Sequence, residues 1–223
     1  MLLFEGLAQL DLTGPFEVFS RLPDTNVRLV AKEMAPVGSD GGLIISPGNT
    51  IFDCPELDVL MVPGGAGIGK LMEDESVLTF VADQGKQARY VTSVCTGALV
   101  LGAAGLLAGY KAATHWLSMD LLPILGAQPV RRRVVIDRNR ITCGGVTAGI
   151  DCALVIAAEI FGEAAAKEIQ LMMEYDPLPP FRSGSPDTAD PELVEKVRTG
   201  RAAMQKKREA LVRRAAARLR LDE

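Results

Sequence analysis

The sequence predicts an α/β fold in which helices cover a mostly parallel central sheet. Two observations support this. Segments rich in valine, leucine and isoleucine alternate with amphipathic segments of helical length. Predicted buried strands also run into short turns, such as Pro63-Gly64-Gly65 after residues 57–62. The chain has 223 residues, of which 48% are hydrophobic and 23% are charged, so it is long enough to bury one sizeable core.

The hydrophobic pattern places each element in turn along the chain. Strands are predicted over residues 1–4, 27–31, 57–62 and 90–94, with hairpins at 38–42 and over 130–143. Helices are predicted over 14–21, 75–87, 96–107, 147–161, 164–175 and 191–219. Pro15 indicates the start of the first helix, because proline is favoured just inside a helix. We predict one α/β domain over 1–188 and a basic helical extension of that domain over 189–223.

Composition and charge exclude several classes of protein. A net charge of −4 gives no reason to expect nucleic acid or an anionic membrane as a partner. No apolar run reaches the roughly 18 residues that cross a bilayer. Residues 1–4 are followed by Glu5 and lack the basic start of a signal peptide. On these grounds we expect a cytoplasmic location.

Four cysteines and a single histidine limit the metal and redox chemistry. The cysteines show no C-x-x-C spacing, which disfavours a zinc site. Disulfides are rare in cytoplasmic proteins of this size. We therefore expect no metal, and we expect each cysteine to be a free thiol that is either reactive or buried.

Cys95 is the strongest candidate for chemistry. Strand residues 90–94 run directly into Cys95-Thr96-Gly97, and an apolar helix follows at once. The turn must therefore be tight and its apex strained, as in a nucleophile elbow. A sulfur at a helix N-terminus is favoured as thiolate, although a small buried residue at a strand end is the alternative. Cys54, Cys143 and Cys152 lack this setting, and we predict that they are structural.

A glycine-rich turn follows the neighbouring predicted strand. Residues 64–70 fit the phosphate-loop frame G-x-x-x-x-G-K, but Leu71 stands where that motif needs Ser or Thr for magnesium. In an open parallel sheet, the ligand crevice lies at the carboxyl ends of the strands. Both this turn and Cys95 end strands there, so the N–H groups of Gly65 and Thr96 are candidates for an oxyanion hole.

Two further titratable residues are candidates for the same site. Asp11, flanked by leucines just past the first strand, is either a helix cap or a buried acid near Cys95. In the second case burial raises its pKa and lets it donate a proton. His115, beside Trp116, is more typical of a packed residue, with a cysteine–histidine dyad as the alternative.

The segment 191–219 is rich in alanine and arginine. Such a basic helix is typical of a solvated face. Docking onto a second subunit is the alternative.

Five motifs in order resemble the ThiJ/PfpI superfamily, which has the class I glutamine-amidotransferase-like fold. The motifs are Leu10-Asp11-Leu12-Thr13-Gly14-Pro15, Val62-Pro63-Gly64-Gly65, Val91-Thr92-Ser93-Val94-Cys95-Thr96-Gly97, Ala113-Thr114-His115-Trp116 and 144–151. The likeness runs from the start of the chain to about Pro186. It implies a flavodoxin-like three-layer sandwich with a mostly parallel central sheet, the nucleophile elbow at Cys95, and a homodimer.

Within that superfamily the chain is most similar to the isonitrile hydratases. The likeness includes Asp11: isonitrile hydratases resemble this chain in having aspartate at that position, whereas many other members of the superfamily have glutamate. Protease-like members place histidine directly after the cysteine, and Thr96 takes that position here, which disfavours peptidase activity. The first strand is several residues shorter than is usual in the family.

The resemblance implies a chemistry for these residues. Cys95 would attack the carbon of an isonitrile while Asp11 delivers a proton, giving a covalent thioimidate. Water activated by Asp11 would then release an N-substituted formamide, with no metal or organic cofactor. Thr96 would contribute its N–H and hydroxyl. The turn Gly64-Gly65 and Ile68 would bind the substrate, with Trp116 and Phe181 as further candidates for lining the pocket.

Besides a stress-related binding protein without enzyme activity, two other functions are open at this point. One is a glyoxalase-like or deglycase activity on α-oxoaldehydes, using Cys95 and His115. The other is a redox or ligand sensor in which Cys95 is oxidised without turnover.

Overall fold

Strands and helices alternate along the chain, whose computed structural model describes residues 1–220. The strands are β1 (Val30–Ala31), β2 (Val37–Gly38), β3 (Ile44–Ile45), β4 (Asn49–Thr50), β5 (Val59–Val62), β6 (Tyr90–Val94), β7 (Lys111–Ala112), β8 (Gln128–Pro129), β9 (Val134–Asp137) and β10 (Arg140–Cys143). The α-helices are α1 (Gln9–Phe19), α2 (Ile68–Leu71), α3 (Glu75–Gln87), α4 (Gly97–Ala103), α5 (Ala148–Phe161), α6 (Glu163–Met172) and α7 (Pro191–Leu219). Two 3₁₀ helices span Trp116–Leu121 and Pro123–Leu125.

The central sheet has the strand order β5-β6-β10-β9. Its first three strands are parallel, and β9 runs antiparallel to β10. Residues 1–4 join this sheet to β1, because Leu2 N–H donates to the Met61 carbonyl (3.0 Å) and Leu3 N–H donates to the Val30 carbonyl (2.7 Å). The predicted first strand is therefore buried extended backbone, paired by a single bridge between Leu2 and Val30.

Helices cover the sheet in two groups. One group is α1 packed on α5, and α5 also contacts β6 and β10. The other group is α3, α4 and α7, in which α4 contacts β5, β6 and both of the other helices. This arrangement confirms the predicted α/β fold of flavodoxin-like type. Within residues 1–220, none of the helices combines the length and the apolar character that crossing a membrane requires.

Helix α1 begins earlier than the sequence predicts. It starts at Gln9 and carries Pro15 in its interior. Proline removes one backbone hydrogen bond from a helix, and packing of α1 against α5 stabilises the helix in spite of that loss. The cap is Ala8, so the interpretation of Asp11 as a helix cap is wrong. Asp11 lies instead in the first helical turn with its side chain fully buried.

Two of the cysteines are paired. Cys143, at the end of β10, forms a disulfide with Cys152 on α5. The expectation of free thiols is therefore wrong for these two residues, because the turn between β10 and α5 folds two buried positions onto each other. Cys54 and Cys95 are free.

Helix α7 is only partly solvated. Its buried residues are Arg208, Val212, Ala215 and Ala216, and it packs against α4 and both 3₁₀ helices. The expectation of a solvated basic helix is therefore wrong for this face. Positions 208, 212 and 215 follow helical spacing, so one arginine shares the apolar stripe.

Candidate active site

Cys95 lies at the junction of β6 and α4 with a positive φ of 55°. That backbone conformation is strained for a residue other than glycine. The Cys95 N–H donates to the Cys143 carbonyl (3.0 Å), and the Thr114 hydroxyl donates to the Cys95 carbonyl (2.8 Å). These bonds hold the apex in place, as expected for a nucleophile elbow. The residue is only 6% exposed.

The surroundings of the Cys95 sulfur favour the protonated thiol over the thiolate. Burial raises its pKa strongly, and the charge of Asp11 raises it further. The Thr96 N–H, the Thr96 hydroxyl and the charge of Arg208 lower that pKa by less than burial raises it. This direction runs against the expectation of a resting thiolate, because lost hydration outweighs the contribution of the helix N-terminus.

The Asp11 carboxyl is the candidate acid–base group for this thiol. Its Oδ2 accepts a hydrogen bond from the Gly64 N–H (2.9 Å), whereas its buried Oδ1 has no partner among residues 1–220. Burial raises the pKa of Asp11 to about 7, although the Gly64 N–H and the Cys95 thiol lower it. Near neutral pH the carboxyl can therefore both accept and donate a proton.

The turn Gly64-Gly65 brings the acid and the elbow together. Its second amide, Gly65 N–H, donates to Thr96 Oγ1 (3.2 Å). A Cβ on Gly64 would lie 2.6 Å from the Thr96 nitrogen and 2.9 Å from Asp11 Oδ2, so the three segments can meet this closely only at a glycine. Both amides of the turn are thus occupied by side chains, the Gly64 N–H by Asp11 and the Gly65 N–H by Thr96. The backbone amide that hydrogen-bonds Cys95 is the Thr96 N–H. An oxyanion hole formed by Gly65 and Thr96 stays a prediction.

The other predicted binding residues lie at different depths. Ile68 is buried in the core at the start of α2. Trp116 is half-buried in the first 3₁₀ helix, and Phe181 is 76% exposed beyond α6. Contact of these residues with a substrate stays a prediction.

His115 caps the first 3₁₀ helix. Its Nδ1 accepts a hydrogen bond from the Leu117 N–H (3.3 Å). Burial lowers the pKa of His115, and the charges of Arg208 and Arg201 lower it further. A neutral imidazole that accepts at Nδ1 carries its proton on Nε2, so it has no free lone pair for a base. This geometry disfavours the predicted dyad with Cys95.

Sequence reasoning missed a polar cluster formed by Arg208, Gln205 and Ser118, which we call the Arg208 cluster. The Arg208 Nη1 donates to Ser118 Oγ (3.2 Å) and to Gln205 Oε1 (3.5 Å). The Ser118 hydroxyl also donates to Gln205 Oε1 (3.2 Å). The helical spacing of Arg208 with Val212 was the available signal, but it is hard to see in a helix with so many arginines.

A family comparison matches the N-terminal part of the chain, which holds this site. A sequence model described as the DJ-1/PfpI family matches residues 1–159, which include Asp11, Gly64 and Cys95. The isonitrile hydratase of Pseudomonas putida is 57% identical over 220 residues, covering 99% of this chain and 96% of that protein.

Solved structures agree in fold. A THiJ/PfpI family protein from Pseudomonas syringae superposes with a TM-score of 0.93 at 46% identity, covering 95% of this chain and 88% of that chain. A cysteine-to-alanine mutant of a DJ-1 superfamily protein from Salmonella typhimurium gives a TM-score of 0.71 at 27% identity, covering 79% of this chain and 97% of that one. The chain therefore belongs to the DJ-1/PfpI family.

Proposed function

We propose that this protein is an isonitrile hydratase, which adds water to an isonitrile and releases an N-substituted formamide. The observation that carries the proposal is the 57% identity to the Pseudomonas putida isonitrile hydratase over 99% of this chain. The geometry supports the same chemistry, because a buried thiol lies against a carboxyl whose pKa is about 7.

An isonitrile demands both a nucleophile and a proton at one carbon. Its terminal carbon must gain a bond to sulfur and a bond to hydrogen in the same event, so a bare thiolate is not sufficient. Cys95 and Asp11 are both buried, so a proton can pass between them without exchange with bulk water. Asp11 accepts the thiol proton through its unpartnered Oδ1 as the sulfur–carbon bond forms. It then delivers that proton to the same carbon, which gives the thioimidate Sγ–CH=N–R.

Hydrolysis returns the enzyme to its starting state. The Asp11 carboxylate takes a proton from water as the hydroxide adds to the thioimidate carbon, and it passes that proton to the nitrogen. The carbonyl then forms as the carbon–sulfur bond breaks, and the proton of the added hydroxyl group moves to the sulfur. The Thr96 N–H and hydroxyl stabilise the departing sulfur, because both lower the pKa of Cys95. The sum is one isonitrile and one water converted to one formamide.

The direct test is to incubate the purified protein with cyclohexyl isocyanide and to measure N-cyclohexylformamide by chromatography. Cys95→Ala should form no product, and Asp11→Asn should lose at least about a hundredfold in kcat/KM. Cys54→Ala, which removes the other free thiol, is the matched control and should retain full activity. Product formation by Cys95→Ala would contradict the proposal.

The same assay separates the alternatives that the sequence leaves open. Consumption of methylglyoxal without any turnover of isonitriles would favour an enzyme acting on α-oxoaldehydes. Oxidation of Cys95 by peroxide with turnover of neither substrate would favour a sensor.

Self-association and a cytoplasmic location belong to the same proposal. The superfamily resemblance implies a homodimer, and exposed apolar residues beyond α5 offer surface for one, among them Leu171 (82% exposed) and Leu178 (93% exposed). Light scattering on the purified chain should give twice the monomer mass of 23.8 kDa. A monomer at micromolar concentration would contradict the expected assembly.

A further inference from the structure

We propose that Arg208 is a positioning residue that acts through Cys95: its guanidinium, brought in by α7, stabilises negative charge on the Cys95 sulfur. This inference rests on the proposed function only in taking Cys95 as the nucleophile. It makes the C-terminal helix a working part of the active site.

The setting of Arg208 is unusual for an arginine. It is only 7% exposed, and the hydrogen bonds it makes within residues 1–220 go to Ser118 Oγ, Gln205 Oε1 and the Met204 sulfur, none of which is charged. Burying a guanidinium without a carboxylate is costly, so buried arginines are normally paired. A nearby group that becomes anionic during reaction would supply the missing partner.

Cys95 is that group. Burial lowers the pKa of Arg208, and the Cys95 sulfur raises it; in return, the charge of Arg208 lowers the pKa of Cys95. One short segment also links the elbow to the cluster. The Thr114 hydroxyl donates to the Cys95 carbonyl (2.8 Å), and Ser118, which accepts from Arg208, lies four residues later in the chain.

The charged groups around the sulfur are few. Asp11 on α1 opposes the thiolate, and Arg208 on α7 favours it. The charge of Arg208 also acts on His115, where it lowers the pKa together with the charge of Arg201. On α7 itself, Glu209 follows directly in sequence, but its carboxylate pairs with Arg213. Among the described residues, Arg208 is therefore the cation whose charge acts on the Cys95 sulfur.

Arg208 lies outside the part of the chain that the family model matches. The family match ends at residue 159, whereas the match to the Pseudomonas putida enzyme covers 99% of this chain. The elbow and the acid come from the family core, and the cation comes from a segment outside it. An added helix is thus a means of tuning the thiol within a shared fold.

Alkylation of Cys95 tests the proposal without any isonitrile. The second-order rate with iodoacetamide, a neutral reagent, is measured from pH 7 to 9.5 in a Cys54→Ala background. Arg208→Met and Arg208→Gln should each react about threefold more slowly at every pH, equal to about half a pKa unit. Arg208→Lys, which keeps the charge, should stay near the parent rate. Arg213→Met, an exposed arginine on the same helix, is the matched control and should be unchanged.

Equal alkylation rates in folded Arg208→Met and the parent would overturn the proposal, and would leave Arg208 with a packing role. If neither neutral variant folds, Asp11→Asn carries the test with Arg208 intact. A cation beside the sulfur should then make the ratio of iodoacetate to iodoacetamide rates at least threefold higher than for free cysteine, and this excess should shrink at high salt. A ratio equal to that of free cysteine would overturn the proposal. Because neither readout involves hydration, failure here is distinct from failure of the proposed function.

Discussion

Replacing Asp11 by asparagine should stabilise the fold at alkaline pH even as it removes activity. Burial raises the pKa of this carboxyl from 3.8 to about 7. The folded chain therefore holds the proton more tightly than the unfolded chain does. Its free energy of unfolding falls as pH rises from about 4 to about 7 and is then constant with respect to this group. At about 1.36 kcal/mol per pKa unit, the raised pKa costs about 4 kcal/mol of stability at pH 8 and about 1–2 kcal/mol at pH 5.

Asparagine avoids this cost, because its side-chain oxygen still accepts from the Gly64 N–H and never ionises. The free energy of unfolding of Asp11→Asn relative to wild type, measured in urea, should therefore be about 3 kcal/mol more favourable at pH 8 than at pH 5. Asp83→Asn, an exposed position on α3, is the control for general effects of the substitution. A difference between Asp11→Asn and wild type that is equal at the two pH values would refute the reasoning.

Three further outcomes follow from the same geometry. The kcat/KM for isonitrile hydration should fall about tenfold per pH unit below about pH 7, since Asp11 must be ionised to accept the thiol proton. A kcat/KM profile that is flat from pH 5 to 9 would contradict this. Gly64→Ala should lower kcat/KM at least about tenfold and destabilise the fold by about 1–3 kcal/mol, because the added Cβ displaces Thr96 and Asp11. Gly41→Ala, where a Cβ meets no atom within 4 Å, is its control, and similar losses in both variants would argue against a specific clash. His115→Gln should keep kcat/KM within about threefold while lowering the melting temperature, since the histidine caps a helix; a loss above about a hundredfold would restore a base role.

Local patterns predicted some elements closely. The bounds of α3, β6 and α7 coincide with the predicted ranges 75–87, 90–94 and 191–219. In α3, the Asp74 side chain accepts from the Val77 N–H, and in α7 Asp190 accepts from the Glu192 N–H. A cap is a local interaction, so its residues can be read from a short stretch of sequence. Helix α1 has no side-chain cap. Its start was predicted too late in the chain, because Pro15 was interpreted as a residue of the first turn.

The site was predictable in its parts but not in its electrostatics. The strained apex at Cys95 follows from a strand that meets a helix without a loop. The protonation of its thiol does not follow, because it depends on how completely Asp11, Thr96 and Arg208 enclose the sulfur. Likewise, the Gly64 turn was expected near the elbow, whereas its hydrogen bond to Asp11 was not.

The sequence by itself determined the α/β alternation, the elbow at Cys95 and the presence of an acid at Asp11, because each depends on residues adjacent in the chain. The tertiary structure alone decided that Asp11 is a buried acid with a pKa of about 7, that Cys143 pairs with Cys152, and that Arg208 is buried without a carboxylate partner among the described residues. Those properties depend on the desolvation of side chains and on distances between segments far apart in the chain. Neither quantity is encoded in a local pattern.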